Sequence, residues 1–288
     1  MKTKELASLF GLAALWGSSF LFVRLASPAI GPVLTAQGRV TIAAAALLIY
    51  IFVIGKSTQF KQYWRHYIII GALNAAIPFT LVSFAALHLN SSMMAIINSL
   101  TPLFTALVVW GWMKEKVSIK KCAGIFIGIS GVVILVGWSP LPLTVDVLAA
   151  AGFSILSTVS YGFGGVYAKL NFSQIPPQAV AFGQQMGASL LIFPFTLFTL
   201  PESTSAVTPT VAWSVVGVAL LSTALGYILY YYLITNVGPT KTVSVTFLIP
   251  LFGMIWAVVF LHEQITTGMI VGLIVILSSI FLISDVQT

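Results

Sequence analysis

The chain has 288 residues, of which 59% are hydrophobic and 7% charged, against about 25% charged in an ordinary soluble domain. Its single cysteine, Cys122, excludes an intrachain disulfide and every multi-cysteine metal site, and three scattered histidines lack zinc-ligand spacing, so no metal or other cofactor is expected. A formal charge of +7 in so apolar a chain fits cytoplasmic loops rich in Lys and Arg, and no nucleic-acid partner is expected.

A helix that crosses the hydrocarbon core needs about 20 apolar residues. Ten such stretches follow one another, near 5–24, 33–54, 67–88, 92–113, 117–137, 146–168, 177–199, 211–234, 240–261 and 266–284. Short links carrying Pro, Gly, Asn or charge separate them. The longest, 55–66 and 200–210, leave no room for a soluble domain. Lys2 and Lys4 precede the first stretch as they would in a signal peptide, but the run is long and Pro28 follows its only small-residue cut, so it reads as a retained helix. The predicted fold class is an all-α integral membrane protein.

The ten stretches are one set of five written twice. Thr101-Pro102 and Lys114-Glu115 stand at the same interval as Ile249-Pro250 and His262-Glu263, each pair 148 positions apart. Upstream, Trp16-Gly17 through Arg24-Leu25 matches Tyr161-Gly162 through Lys169-Leu170, 145 positions on, and Pro32 and Gly38 fall on Pro177 and Gly183. Residues 1–139 and 140–288 are therefore expected to be two homologous five-helix bundles. Five is odd, so the second unit would enter the membrane upside down relative to the first. With both termini in the cytoplasm, eleven of the 13 basic residues fall inside, in keeping with the positive-inside rule. Trp64, Trp110 and Trp112 on one side and Trp138 and Trp213 on the other fit interfacial belts.

Polar groups in hydrocarbon need a partner or a wet cavity, so their helical faces point to the interior. Met94, Asn98, Thr101 and Thr105 make one stripe, and Thr246 stands where Asn98 does in the other half. Thr223, Tyr227, Tyr230 and Tyr231 make another, while Asn74 lies four residues before Pro78. The expected solute-facing set is Trp16, Ser19, Asn74, Asn98, Thr101, Tyr161, Tyr167, Thr223, Tyr227 and Thr246. Hydroxyls, amides and rings of this kind suit a neutral, zwitterionic or partly apolar solute better than a polyanion. Pro102 and Pro250 would kink their helices and serve gating. Arg24, Arg39 and Glu263 are expected to meet near the outer rim, where Arg39 and Glu263 would latch a gate. The G-x-x-x-G pairs Gly124/Gly128 and Gly268/Gly272 would serve packing within the fold or a homodimer face.

Trp16-Gly17-Ser18-Ser19-Phe20, Arg39, the two proline-bearing helices and the paired Glu115 and Glu263 together resemble the ten-helix EamA-type branch of the drug/metabolite transporter superfamily. One departure stands out: Gln184 occupies the position that Arg39 holds in the first half. The resemblance implies movement of small metabolites, often amino acids and their relatives, outward through a central cavity in the inner (plasma) membrane. None of the six acids falls at a predicted midplane, which argues for uniport or exchange by alternating access over proton or sodium coupling. No nucleophile-and-base cluster lies within the spans, so no enzyme activity is expected. A proton-coupled multidrug exporter is the alternative within the class, and a passive channel the alternative outside it. Lipid and a small solute are the expected partners.

Overall fold

The computed structural model describes residues 2–113, 119–139, 141–200, 206–238, 241–242 and 244–284. Helix α1 (Thr3–Ile30) starts where the Glu5 carboxylate accepts the Lys2 amide at 2.6 Å. It ends at Gly31, whose φ of +86° turns the chain into Pro32, the first residue of α2 (Pro32–Val53). A proline in that position gives up no helical bond. Next come α3 (Phe60–Gly71), a π-helical turn at Ala72–Ala76, and α4 (Ile77–Ala85). Pro78 cannot donate to the Asn74 carbonyl four residues back, and the widened turn lies at that point. The third stretch therefore begins at 60 rather than 67, because the polar run Phe60–Tyr67 joins the helix ahead of the apolar one.

The fourth stretch is two helices, α5 (Ser91–Asn98) and α6 (Thr101–Met113), parted at Ser99-Leu100 just before Pro102. The Asn90 side chain caps α5 by accepting the Met93 amide at 2.9 Å. Helix α7 (Ile119–Gly137) closes the first half. The second half comprises α8 (Val145–Asn171), capped by Thr144, and α9 (Pro177–Thr196), followed by α10 (Pro209–Gly217), capped by Thr208. A second π segment, Val218–Leu225, leads into α11 (Gly226–Val237), and α12 (Val245–Leu261) and α13 (Thr267–Ser284) complete the chain. Among the described residues, six helical runs are long and apolar enough to cross a membrane, and three shorter apolar helices accompany them.

Packing follows the duplication. Helix α1 lies on α12 and on the α10–α11 run, while α8, the counterpart of α1, lies on α6 and on the α3–α4 run. Similarly, α2 packs on the Val218–Leu225 segment and α9 on α3 and the Ala72–Ala76 segment. The pairs α2 with α9 and α7 with α13 join equivalent helices directly. The largest buried cluster mixes both halves, with Phe20, Met93 and Ile97 against Ile249 and Leu273. Outward, Phe52, Phe126, Phe198 and Trp213 are more than two-thirds exposed. That apolar exterior is what hydrocarbon would cover.

Candidate functional site

Polar side chains from both halves meet at the two π segments. Arg39 of α2 is 8% exposed; its Nε donates to Thr223 Oγ1 at 3.0 Å, and its Cζ sits 3.5 Å above the Phe79 ring. The Thr223 hydroxyl donates in turn to the Val218 carbonyl at 2.8 Å, a five-residue reach that the π geometry provides. On α9, Gln184 is 2% exposed and has both ends of its amide engaged. Its Oε1 accepts from Asn74 Nδ2 at 3.3 Å, and its Nε2 donates to the Tyr227 hydroxyl at 2.6 Å.

These two arrangements correspond. Arg39 and Gln184 are 145 positions apart, and Asn74 and Thr223, each two residues before the end of its π segment, are 149 apart. The helix-2 side chain of each half thus reaches the π segment of the other half.

Aromatic rings surround these bonds. Trp16 packs on Tyr227 at 6.3 Å and Tyr230 at 5.4 Å, and Tyr231 stacks on Tyr227 at 6.0 Å. Tyr161, equivalent to Trp16, meets Phe79 edge-on at 6.5 Å, so Phe79 lies between Tyr161 and Arg39. Tyr161 and Tyr227 are the phenols within electrostatic reach of the guanidinium.

The glycine after each of these rings sets how close the helices come. A Cβ at Gly17 would stand 2.8 Å from the Gly253 nitrogen, and one at Gly162 would stand 3.0 Å from the Phe104 carbonyl carbon. A side chain at Gly17 would force the backbones apart and one at Gly162 would crowd them, and the tight crossings of α1 with α12 and α8 with α6 hold Trp16 and Tyr161 in place. Gly128 and Gly272 serve in the same way between α7 and α13, Gly128 against Ser279 and Gly272 against Gly131 and Leu135.

The structure brings together Trp16, Asn74, Tyr161, Thr223 and Tyr227 of the expected solute-facing set. Ser19 instead donates to the Trp16 carbonyl at 2.7 Å within α1, and Thr101 donates to the Asn98 carbonyl at 2.7 Å, back across the break from α6 to the last residue of α5. Asn98 is half-buried, and its amide makes no hydrogen bond among the described residues; Thr246 is half-buried near the start of α12. Tyr167 belongs to a separate aromatic group, bonded to His66 Nδ1 at 2.7 Å beside Phe172 and Tyr67. Pro250 lies inside an unbroken α12, whereas Pro102 follows a break. Sequence reasoning named Gln184 only as a departure and passed over Phe79. The 145-residue offset marks Gln184, but nothing in the apolar run of α4 distinguishes Phe79.

The charge cluster expected of Arg24, Arg39 and Glu263 is not formed. Glu263 accepts from the Ser91 and Ser92 amides at 2.7 and 3.1 Å and from the Ser92 hydroxyl at 2.7 Å. Arg24 donates to the Ala86 and Leu87 carbonyls. Each has found a helix end of opposite partial charge, which satisfies it without a counter-ion. Arg39 is held apart from both by Thr223 and Phe79. Arg24 and Glu263 still line one open pocket of about 570 Å³ with Pro28, Asn90 and Leu261. Glu115 and Glu202 lie outside the described residues. No group of His, Cys, Asp or Glu that could hold a metal occurs among the described residues.

The model of the EamA-like transporter family matches residues 3–137 and again 148–285. An uncharacterized transporter, YvbV of Bacillus subtilis, is 26% identical over 98% of this chain and 92% of its own length. Protein PecM of Dickeya dadantii is 26% identical over 100% of this chain and 94% of its own. The uncharacterized inner membrane transporter YedA of Escherichia coli K12 is 25% identical over 88% of this chain and 83% of its own. A protein of known crystal structure shares the fold at a TM-score of 0.67 and 16% identity, covering 99% of this chain and 98% of that one.

Proposed function

The chain belongs to the EamA-like transporter family, and on that premise we propose that it exports small neutral or zwitterionic metabolites, amino acids or their relatives, by alternating access as a uniporter or exchanger. The carrying observation is the reciprocal pair of bonds, Arg39 to Thr223 and Asn74 to Gln184, each joining one half to the π segment of the other. A solute bound among these groups touches both halves at once, so rocking one half against the other would open the site to alternate sides. The exchanged packing partners support the further reading that ten crossings form two inverted units, 1–139 and 140–288. On that reading both termini are cytoplasmic, and the naming of YedA as an inner membrane transporter supports the bacterial inner membrane.

The described carboxylates Glu5, Asp146 and Glu263 all sit at or beside helix ends, which favours uniport or exchange over ion coupling. Gating is assigned to the break before Pro102, to Pro250 and to Glu263, whose bonds to Ser91 and Ser92 tie the end of α12 to the start of α5. Reconstitution into liposomes tests the whole. Saturable counterflow of amino acids or related solutes, insensitive to a pH gradient, is expected; accumulation of cationic drugs driven by that gradient would replace this reading with a proton-coupled exporter. Labelling of Lys114 and His262 from opposite compartments is the expected topology, and labelling from one compartment would overturn the inverted arrangement.

A further inference from the structure

Arg39 is a buried cation with most of its binding capacity unspent. A guanidinium carries five N–H donors in a planar fork, and here Nε alone is used, on Thr223. The two terminal nitrogens make no hydrogen bond among the described residues. They are also absent from the fully sealed, unpaired polar atoms of the core, so each keeps some accessible surface although Arg39 as a whole is buried. The three described acids are all committed elsewhere or at helix ends, and none forms an ion pair with Arg39. A charge left this way inside a membrane protein is costly unless something pairs with it.

The equivalent position in the other half shows the opposite condition. Gln184 accepts from Asn74 and donates to Tyr227, so each end of its amide has a protein partner, and only 2% of the residue is exposed. We propose that Arg39 receives the single carboxylate of the transported solute, with Trp16, Tyr227 and Tyr230 forming the wall for its apolar or aromatic body. The assignment rests on the solute-transport reading above and narrows it to monocarboxylates, α-amino acids foremost. The two terminal NH2 groups, lying in one plane, can present one N–H each to the two oxygens of a carboxylate. One cation, surrounded by phenols and amides, gives no charge balance for a phosphate or a dicarboxylate. The rings of Trp16 and Tyr230, 5.4 Å apart, offer apolar area and π faces beside the polar end.

The test compares acids with their amides, which differ only at the group Arg39 would bind. Proteoliposomes containing the full chain are assayed for counterflow of labelled L-phenylalanine, L-leucine and L-tyrosine, of their primary amides, and of the corresponding amines. In the wild-type protein the acids should move about 10- to 100-fold faster per unit concentration than the amides, the ratio that one charge-assisted pair supplies. Arg39→Gln, which installs the residue of the other half, should bring that ratio to within about twofold, and Arg39→Lys should keep part of the preference. Amides or amines moving as fast as acids in the wild type would overturn the carboxylate assignment while leaving the transporter reading standing. Absence of counterflow for every acid, amide and amine would sink amino-acid transport itself. Because the wild-type acid-to-amide ratio needs no variant, misfolding of Arg39→Gln cannot shelter the proposal.

Discussion

Arg39 and Gln184 occupy the same step of a duplicated chain, share the same neighbours by helix and by register, and have opposite hydrogen-bond accounts. Gln184 has a protein partner at each end of its amide, Asn74 and Tyr227, whereas Arg39 uses one donor and its terminal nitrogens make no hydrogen bond among the described residues. The surroundings differ in the same sense: Trp16 meets a hydroxyl-bearing wall of Tyr227 and Tyr230, while its counterpart Tyr161 meets Phe79. The lesson is that duplication builds a scaffold with two equivalent poles, and that chemistry enters where equivalence is broken. A symmetric pair of amides would bind a solute with no preferred direction; one cation fixes which end of the solute goes where.

Substitutions that erase or double the asymmetry follow in order of expected effect. Gln184→Arg would place a second cation near the first and leave Asn74 and Tyr227 without their partner, a loss of about 3–5 kcal/mol. Folded protein should then be nearly absent from a size-exclusion trace in mild detergent, and a normal peak with an unchanged melting point would refute the crowding of these two poles. Gly17→Val addresses the crossing both halves share. Its Cβ would collide with the Gly253 nitrogen, so about 3 kcal/mol of destabilisation is expected by thermal unfolding. Gly152→Ala, where a Cβ meets nothing within 4 Å, serves as the silent control.

Gln184→Leu removes the closed pole without adding charge. Two half-buried groups, Asn74 and Tyr227, lose a partner, for about 2 kcal/mol, and the acid-to-amide transport ratio set by Arg39 should persist. Collapse of that ratio would show that the two poles act as one. Smallest is Thr223→Val, which takes the acceptor from Arg39 Nε and costs about 1 kcal/mol of stability. Its carboxylate preference should weaken only severalfold, because the terminal nitrogens are left in place; total loss in counterflow would mean that Thr223, and not the open fork, is what the solute meets.

Much of this plan is legible in the residues. Helix existence follows from apolar length, and the Trp-Gly and Tyr-Gly pairs 145 positions apart mark the crossings that Gly17 and Gly162 permit. Asn74, Thr223 and Tyr227 were recoverable because a polar group in hydrocarbon requires an interior partner. Less legible were Ser19 and Thr101, whose hydroxyls turn back to carbonyls three residues earlier, a bond that any serine or threonine on a helix can make. Tyr167 lies on the same helix as Tyr161 yet joins a different aromatic group, since six residues carry it nearly two turns away.

Composition and periodicity alone determined the class, the helical content and the twofold writing of the chain, because solvent and backbone hydrogen bonding constrain those at the level of single segments. Which side chains meet was decided only in three dimensions. The rotation of each helix about its axis, and the π turns at Ala72–Ala76 and Val218–Leu225 that reset it, depend on packing against helices a hundred residues away. That is why Arg39 is found on Thr223 and Phe79 rather than beside Glu263, and why a residue expected to latch a rim is instead buried where the two halves meet.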